Sequence, residues 1–295
     1  MTLPRPLGPL ELLRTALDLV RANPGPIAAV MAVLVFPVYL AWAFVAPEDQ
    51  VWTTPFGPPL PLLTLGWFAA LPAPLATAAI VLGFTGVSVS VAMITRLTAR
   101  SYLSRMPALA ERPTPVVRRL PGVVTAFATV HLLEAAGLLV FIAAGLVLAW
   151  SKAGDAIALA VGLPALLAIP AVALLAMALS FVTMPVLIVE RRSALGALRR
   201  SVALIRRRFW TSLGVVTCGG LLAMVALVAV SLPFTLMYAE SGEHGPLRWA
   251  WPIQSAGGMV ASLAAIPFFV TLATVVYFDL RARFEPWSAD SCVIT

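Results

Sequence analysis

Six long, almost uninterrupted apolar runs constrain this chain more than any other feature. They extend from Pro26 to Ala46, Leu71 to Ile94, Val123 to Ala149, Ile157 to Val189, Leu213 to Leu236 and Ala256 to Phe278. Each reaches the roughly 20 residues that a helix needs to cross about 30 Å of hydrocarbon. Inside lipid the backbone must satisfy its own hydrogen bonds, so only helices and closed barrels span it, and these runs lack the period-2 alternation of barrel strands. Composition agrees, with 61% hydrophobic and 11% charged residues where soluble domains carry about 25% charge. The expectation is an all-α membrane protein, a single integral membrane domain over residues 1–295 with six transmembrane helices. The first run is too long for a signal peptide and about 25 residues precede it, so it reads as an uncleaved anchor. Pro164, Pro170 and Pro185 predict kinks or a half-helix in the over-long fourth run.

Basic residues collect on the cytoplasmic side of spans, and here eighteen of the twenty fall in alternate connections. Arg5, Arg14 and Arg21 precede the first run, and six arginines from Arg96 to Arg119 separate the second and third. Seven more, from Arg191 to Arg208, separate the fourth and fifth, and Arg281 and Arg283 open a tail over 279–295. Only Lys152 and Arg248 fall on the other side. Both termini are therefore expected in the cytoplasm, with the chain in the cell membrane. The net charge of +7 follows from this topology and from anionic lipid headgroups; no nucleic-acid motif accompanies it. The outer connections are different in kind. The first is proline-rich with Trp52 and Phe56, the last carries Glu240, Glu243, His244, Trp249 and Trp251, and such interfacial aromatics position helices. Cys218 and Cys292 provide no disulfide framework. The last four residues, from Cys292, only formally resemble a prenylation box.

Two stretches repeat one amphipathic design. Over 9–22, Leu10, Leu13, Leu17 and Val20 share a helical face opposite Glu11, Arg14, Asp18 and Arg21, until the breaker Asn23-Pro24-Gly25-Pro26 turns the chain. Over 193–210, with Ser193 as N-cap, the stripe is Leu195, Leu198, Val202, Ile205 and Phe209. A shift of 185 superposes Leu10 on Leu195, Arg14 on Arg199 and Arg21 on Arg206, which suggests an internal duplication. Such helices lie along the membrane surface or dock a partner; Arg199, Arg200, Arg206, Arg207, Arg208 and Trp210 form the candidate partner or lipid surface.

Glu190, the Ala197-Leu198-x-x-Ser201 helix, the pair Phe209-Trp210 and the closing Tyr277-x-Asp279-x-Arg281 together resemble the bacterial membrane domain family named after glycerophosphoryl diester phosphodiesterase. The resemblance covers the whole chain and implies topology more than chemistry. Pro286 and Trp287 depart from the glycine and aspartate common in that family after the final glutamate. A phosphodiesterase of that class would need a separate barrel of about 250 residues with clustered His, Glu and Asp, and this chain has two histidines.

Two constellations remain. His131 and Glu134 stand three residues apart on one face of the third run. An intramembrane carboxylate there serves either a proton relay or ligand contact, or polar packing against a neighbouring helix. Glu190, Asp279 and Arg281 lie where the fourth and sixth runs reach the cytoplasmic face, and with the arginines of the second amphipathic segment they form a candidate ion-pair latch between the halves. Gly219-Gly220 and Gly257-Gly258 lie inside runs, where small residues permit close packing. No nucleophile–base pair, metal-ligand set or cofactor motif is present. The leading expectation is a non-catalytic membrane subunit or scaffold presenting basic amphipathic helices to anionic lipid and a protein partner. The alternative is a permease-like transporter of a lipid or small amphiphile using Glu134.

Overall fold

The computed structural model describes residues 6–37, 73–104, 116–134, 171–240 and 250–285, with five isolated positions between 136 and 164. Every regular element among them is helical. In chain order these are α1 (Pro9–Ala22), α2 (Pro24–Leu34), α3 (Ala73–Ser104), and α4 (Leu120–Glu134), which a 3-10 turn over Val116–Arg119 introduces. The series continues with α5 (171–180), α6 (Thr183–Val189), α7 (Ala194–Arg206), α8 (Phe209–Glu240) and α9 (Ala250–Phe284).

Among the described residues four segments are long and apolar enough to cross a bilayer: Val81–Leu103, Ala171–Val189, Phe209–Phe234 and Met259–Phe284. The α1–α2 pair makes a fifth if it is taken as one bent span. α4 is a shorter apolar helix, and most of the remainder of the expected third span lies outside the described residues, as do the far end of the first, most of the first half of the fourth and most of the three expected outer connections. The helices overrun their expected ends. α3 continues to Ser104, so Arg96 and Arg100 ride on a helix rather than a loop, and α9 takes residues 279–284 from the expected tail. The second amphipathic segment stops at Arg206, and Phe209 and Trp210 open α8. Hydropathy marks where apolar sequence stops, whereas a helix continues until its hydrogen-bond ladder is broken, and arginine stems carry their charge past the apolar boundary.

Each break has a local cause. At Asn23 the chain bends by 78°. Pro24 starts α2, and the Asn23 amide donates to Leu19 O at 2.8 Å and to Ser101 Oγ of α3 at 3.0 Å, so the bend is tied down on both sides. Pro185 has no N–H for the Phe181 carbonyl and its ring crowds it; the helix accordingly turns at Phe181-Val182. The hydroxyl of Ser201 on α7 then donates to Leu179 O at 2.8 Å and takes up a carbonyl released by that break. Arg191 adopts φ 56°, the left-handed conformation that ends helices, and the chain reverses there into α7.

α9 lies at the centre, packed against α1, α2, α3, α6, α7 and α8, and 61% of its apolar stretch is buried, against 22% for α8. Leu221, Leu222, Met224, Val225 and Leu232 of α8 are exposed, an apolar surface of the kind that lipid covers. α8 and α9 make the most extensive helix contact. At Gly257 an added Cβ would come within 2.6 Å of Phe234 Cβ, so the two backbones approach too closely for a side chain. At Gly219 it would strike the end of the flexible Leu272 side chain.

The amphipathic stripes are rotated relative to expectation. α1 buries Leu12, Ala16 and Leu19 while Leu10 and Leu17 are exposed; α7 buries Ala197, Ser201, Leu204 and Ile205 while Leu195 is exposed. The shift of 185 also pairs Leu12 with Ala197, Ala16 with Ser201 and Leu19 with Leu204 as buried positions, and Gly8 with Ser193 as extended N-caps.

Candidate functional site

One end of the bundle gathers α1, the close of α3, the start of α4, α7 and the end of α9. Its charged side chains fall into two networks on different faces of α9. On the first face stand Tyr277, Arg281 and Glu285, one helical turn apart. Glu190 accepts from Tyr277 Oη at 3.2 Å, Arg200 Nε at 3.4 Å and Arg192 Nε at 2.8 Å. Arg281 donates to Tyr277 Oη at 3.2 Å and to Glu285 at 3.3 Å, and Arg200 closes the ring with a short ion pair to Glu285. Burial pulls the Arg200 guanidinium down, but its hydrogen bonds to and the charges of Glu285 and Glu190 outweigh this and hold it above its ordinary range. Nearby, burial and then the charge of Arg191 push Arg119 below its ordinary range.

On the second face Asp279 is 2% exposed and accepts from the Leu7 backbone N at 2.7 Å, Arg208 Nη1 at 3.2 Å and Arg283 Nε at 2.9 Å. Arg283 also donates to Leu7 O at 2.6 Å. The expected latch residues are thus divided: Tyr277 links Glu190 to Arg281, while Asp279 ties α9 to the segment before α1 and to the start of α8. Arg208 pairs with Asp279 as expected of the arginines in the second amphipathic segment; Leu7, whose backbone lies 272 positions away, and Arg283, one turn along the same helix, were not foreseen as latch partners.

The expected partner surface divides as well. Arg200 and Arg208 turn inward to these carboxylates, and Arg207 lies over the Phe284 ring at 5.4 Å. Leu195, Arg199, Val202 and Arg206 recur at helical spacing on the other face of α7, with Trp210 beyond them at 80% exposure. Among the described residues Arg199 and Arg206 have no carboxylate partner, and α7 itself holds no acidic residue. At the equivalent places on α1 stand Leu10, Arg14, Leu17 and Arg21.

The His131–Glu134 pair forms a third site. His131 Nδ1 and Glu134 Oε2 lie 2.7 Å apart, each side chain 15% exposed. They sit about 16 and 21 Å along α4, at 1.5 Å per residue. The imidazole is held edge-on by Phe127 and Phe84, at centroid distances of 4.2 and 6.4 Å. Both residues line a cavity of about 150 Å³ walled by Val91, Phe127, Met177 and Phe181, and the broken segment Thr183–Pro185 contributes to it. Thr95 and Thr183 also line this cavity, and their buried hydroxyls lack a hydrogen-bond partner. Sequence reasoning passed over both threonines, since a hydroxyl inside a helix normally bonds to its own backbone. Among the described residues no three His, Cys, Asp or Glu side chains come together as a metal would require. No family model matches the chain, and neither a curated protein nor a solved structure is significantly similar to it.

Proposed function

We propose that this chain is a non-catalytic, six-span subunit of the cell membrane that docks an acidic cytoplasmic partner, against anionic lipid, on the outer face of α7. The observation that carries this reading is the division of labour among the α7 arginines. Arg200 and Arg208 are consumed by internal carboxylates, whereas Arg199, Arg206 and Trp210 share an exposed face without counter-charge. A guanidinium near an anionic surface is worth roughly 1 kcal/mol, and an exposed Trp beside arginines has the composition of a docking surface. The convergence of the arginine-bearing helix ends supports placing this end, with both termini, in the cytoplasm. The gathering of Glu190, Ser201, Tyr277, Asp279 and Arg281 at the same end supports membership of the bacterial family that these residues resemble.

Co-purification from native membranes tests the reading. Arg199→Gln with Arg206→Gln is expected to remove a stably associated cytoplasmic protein, leaving the thermal stability of the subunit unchanged. Wild-type protein that purifies alone under mild detergent, or a double variant that keeps its partner, contradicts it. The cavity beside Glu134 supports the second reading, a permease for a small amphiphile, for which Glu134→Gln should abolish flux in liposomes.

A further inference from the structure

We infer that the cavity between α3, α4, the α5–α6 break and α9 is a binding site for an alcohol, a hydroxyl group carried on an apolar segment of about six carbons. The size sets the scale, because an apolar cavity of about 150 Å³ accommodates a molecule such as benzene. The polar groups set the chemistry. The Thr95 and Thr183 hydroxyls are buried and unpartnered, a condition that costs free energy until a ligand supplies both a donor and an acceptor. One oxygen of Glu134, Oε2, is engaged by His131, which leaves the carboxyl group a second acceptor position.

A hydroxyl meets all of these needs at once: its oxygen has two lone pairs, one to accept from each threonine, and its proton is donated to Glu134. An alkylammonium has no lone pair with which to accept from the threonines, and a carboxylate has no proton to donate to Glu134. Both charged ends also lose far more than a neutral hydroxyl on entering an apolar site. The walls fit the rest of the molecule, since Val91, Phe127, Met177, Phe181 and Val270 present no competing polar atom from their side chains. The α5–α6 break lies in this wall. Pro185 thereby shapes the site, because the helix turn that it forces brings Thr183 to the lining.

The same chemistry could be supplied by a free short-chain alcohol or by the hydroxyl end of a long-chain lipid alcohol. The inference concerns binding and stands whether or not the second reading above holds: binding without flux removes the permease and leaves the site. The test uses the full chain in nanodiscs, photolabelled with a diazirine-bearing long-chain alcohol and, separately, with its methyl ether. The alcohol is expected to label the segments around Phe127 and Met177–Pro185, and the ether to label them at least tenfold less. Thr95→Val and Thr183→Val should each reduce alcohol labelling about tenfold, the value of one hydrogen bond. Neither should lower the melting temperature of the unliganded protein, because each removes a polar group that had no partner. Competition by hexan-1-ol identifies the short-chain source; competition only by an unlabelled long-chain alcohol identifies the lipid source. Equal labelling by alcohol and ether, labelling indifferent to both threonine variants, or a high-resolution map with only water at the threonines overturns the inference.

Discussion

Asp279 shows how a single carboxylate organises this end of the protein. Buried to 2% exposure, it holds the backbone of Leu7 and the guanidinium groups of Arg208 and Arg283, so three distant segments meet on one side chain. Asp279→Ala removes the shared acceptor and leaves a backbone donor and two arginines to find other partners. Breaking a buried pair costs about 3–5 kcal/mol, and the lower end applies because Arg208 and Arg283 remain 25% and 24% exposed. The expected outcome is a clear drop in the melting temperature of the detergent-solubilised protein, with Asp279→Asn falling between the variant and wild type. Charged residues at the ends of apolar runs were legible as latch candidates from the sequence, since their desolvation demands partners. Their pairing with arginines of the second amphipathic segment was legible as well, and Arg200–Glu190 and Arg208–Asp279 are such pairs; which arginine meets which carboxylate was not. Tyr277, inside an apolar run, is what connects Glu190 to Arg281; the closing Tyr277-x-Asp279-x-Arg281 marked it by resemblance, but hydropathy alone does not distinguish it from a packing residue.

At the scale of elements, punctuation was more legible than orientation. The Asn23-Pro24 break and the Ser193 cap follow from local chemistry, and the structure places them as that chemistry predicts, with Ser193 Oγ accepting from Gly196 N at 3.3 Å. The side that a helix turns inward does not follow from it. α1 and α7 are apolar on two flanks, one for protein and one facing outward, and periodicity alone cannot tell Leu12, Ala16 and Leu19 from Leu10 and Leu17. Close packing of α8 and α9 yields a sharper expectation, because the two glycines meet different obstacles. An alanine methyl at 257 presses on Phe234 at its Cβ and Cγ, atoms that cannot move without the backbone, and overpacking of this kind costs about 1–3 kcal/mol. At 219 the obstacle is the tip of Leu272, which can rotate, and alanine regains about 1 kcal/mol of helix propensity. Gly257→Ala should therefore lower thermal stability measurably and Gly219→Ala much less; the reverse order would contradict the packing described for this pair.

Over the whole molecule, the alternating distribution of arginines along the chain becomes a spatial fact. Segments separated by more than two hundred residues bring their basic ends together, where two carboxylate networks neutralise part of the charge and α7 displays the rest. Hydropathy revealed the rough position of the four segments, five with the bent α1–α2 pair, that are long and apolar enough to cross a membrane among the described residues. It could not reveal which helix is central, because α8 and α9 are similarly apolar and differ only in what surrounds them. The proposed role requires that the outer face of α7 be in the cytoplasm. Its most direct test is thiol accessibility of Ala203→Cys, an exposed position on α7, in a background carrying Cys218→Ser and Cys292→Ser. A membrane-impermeant maleimide should label this protein in inverted vesicles and not in intact cells. Labelling in intact cells would place the basic end outside and contradict the account.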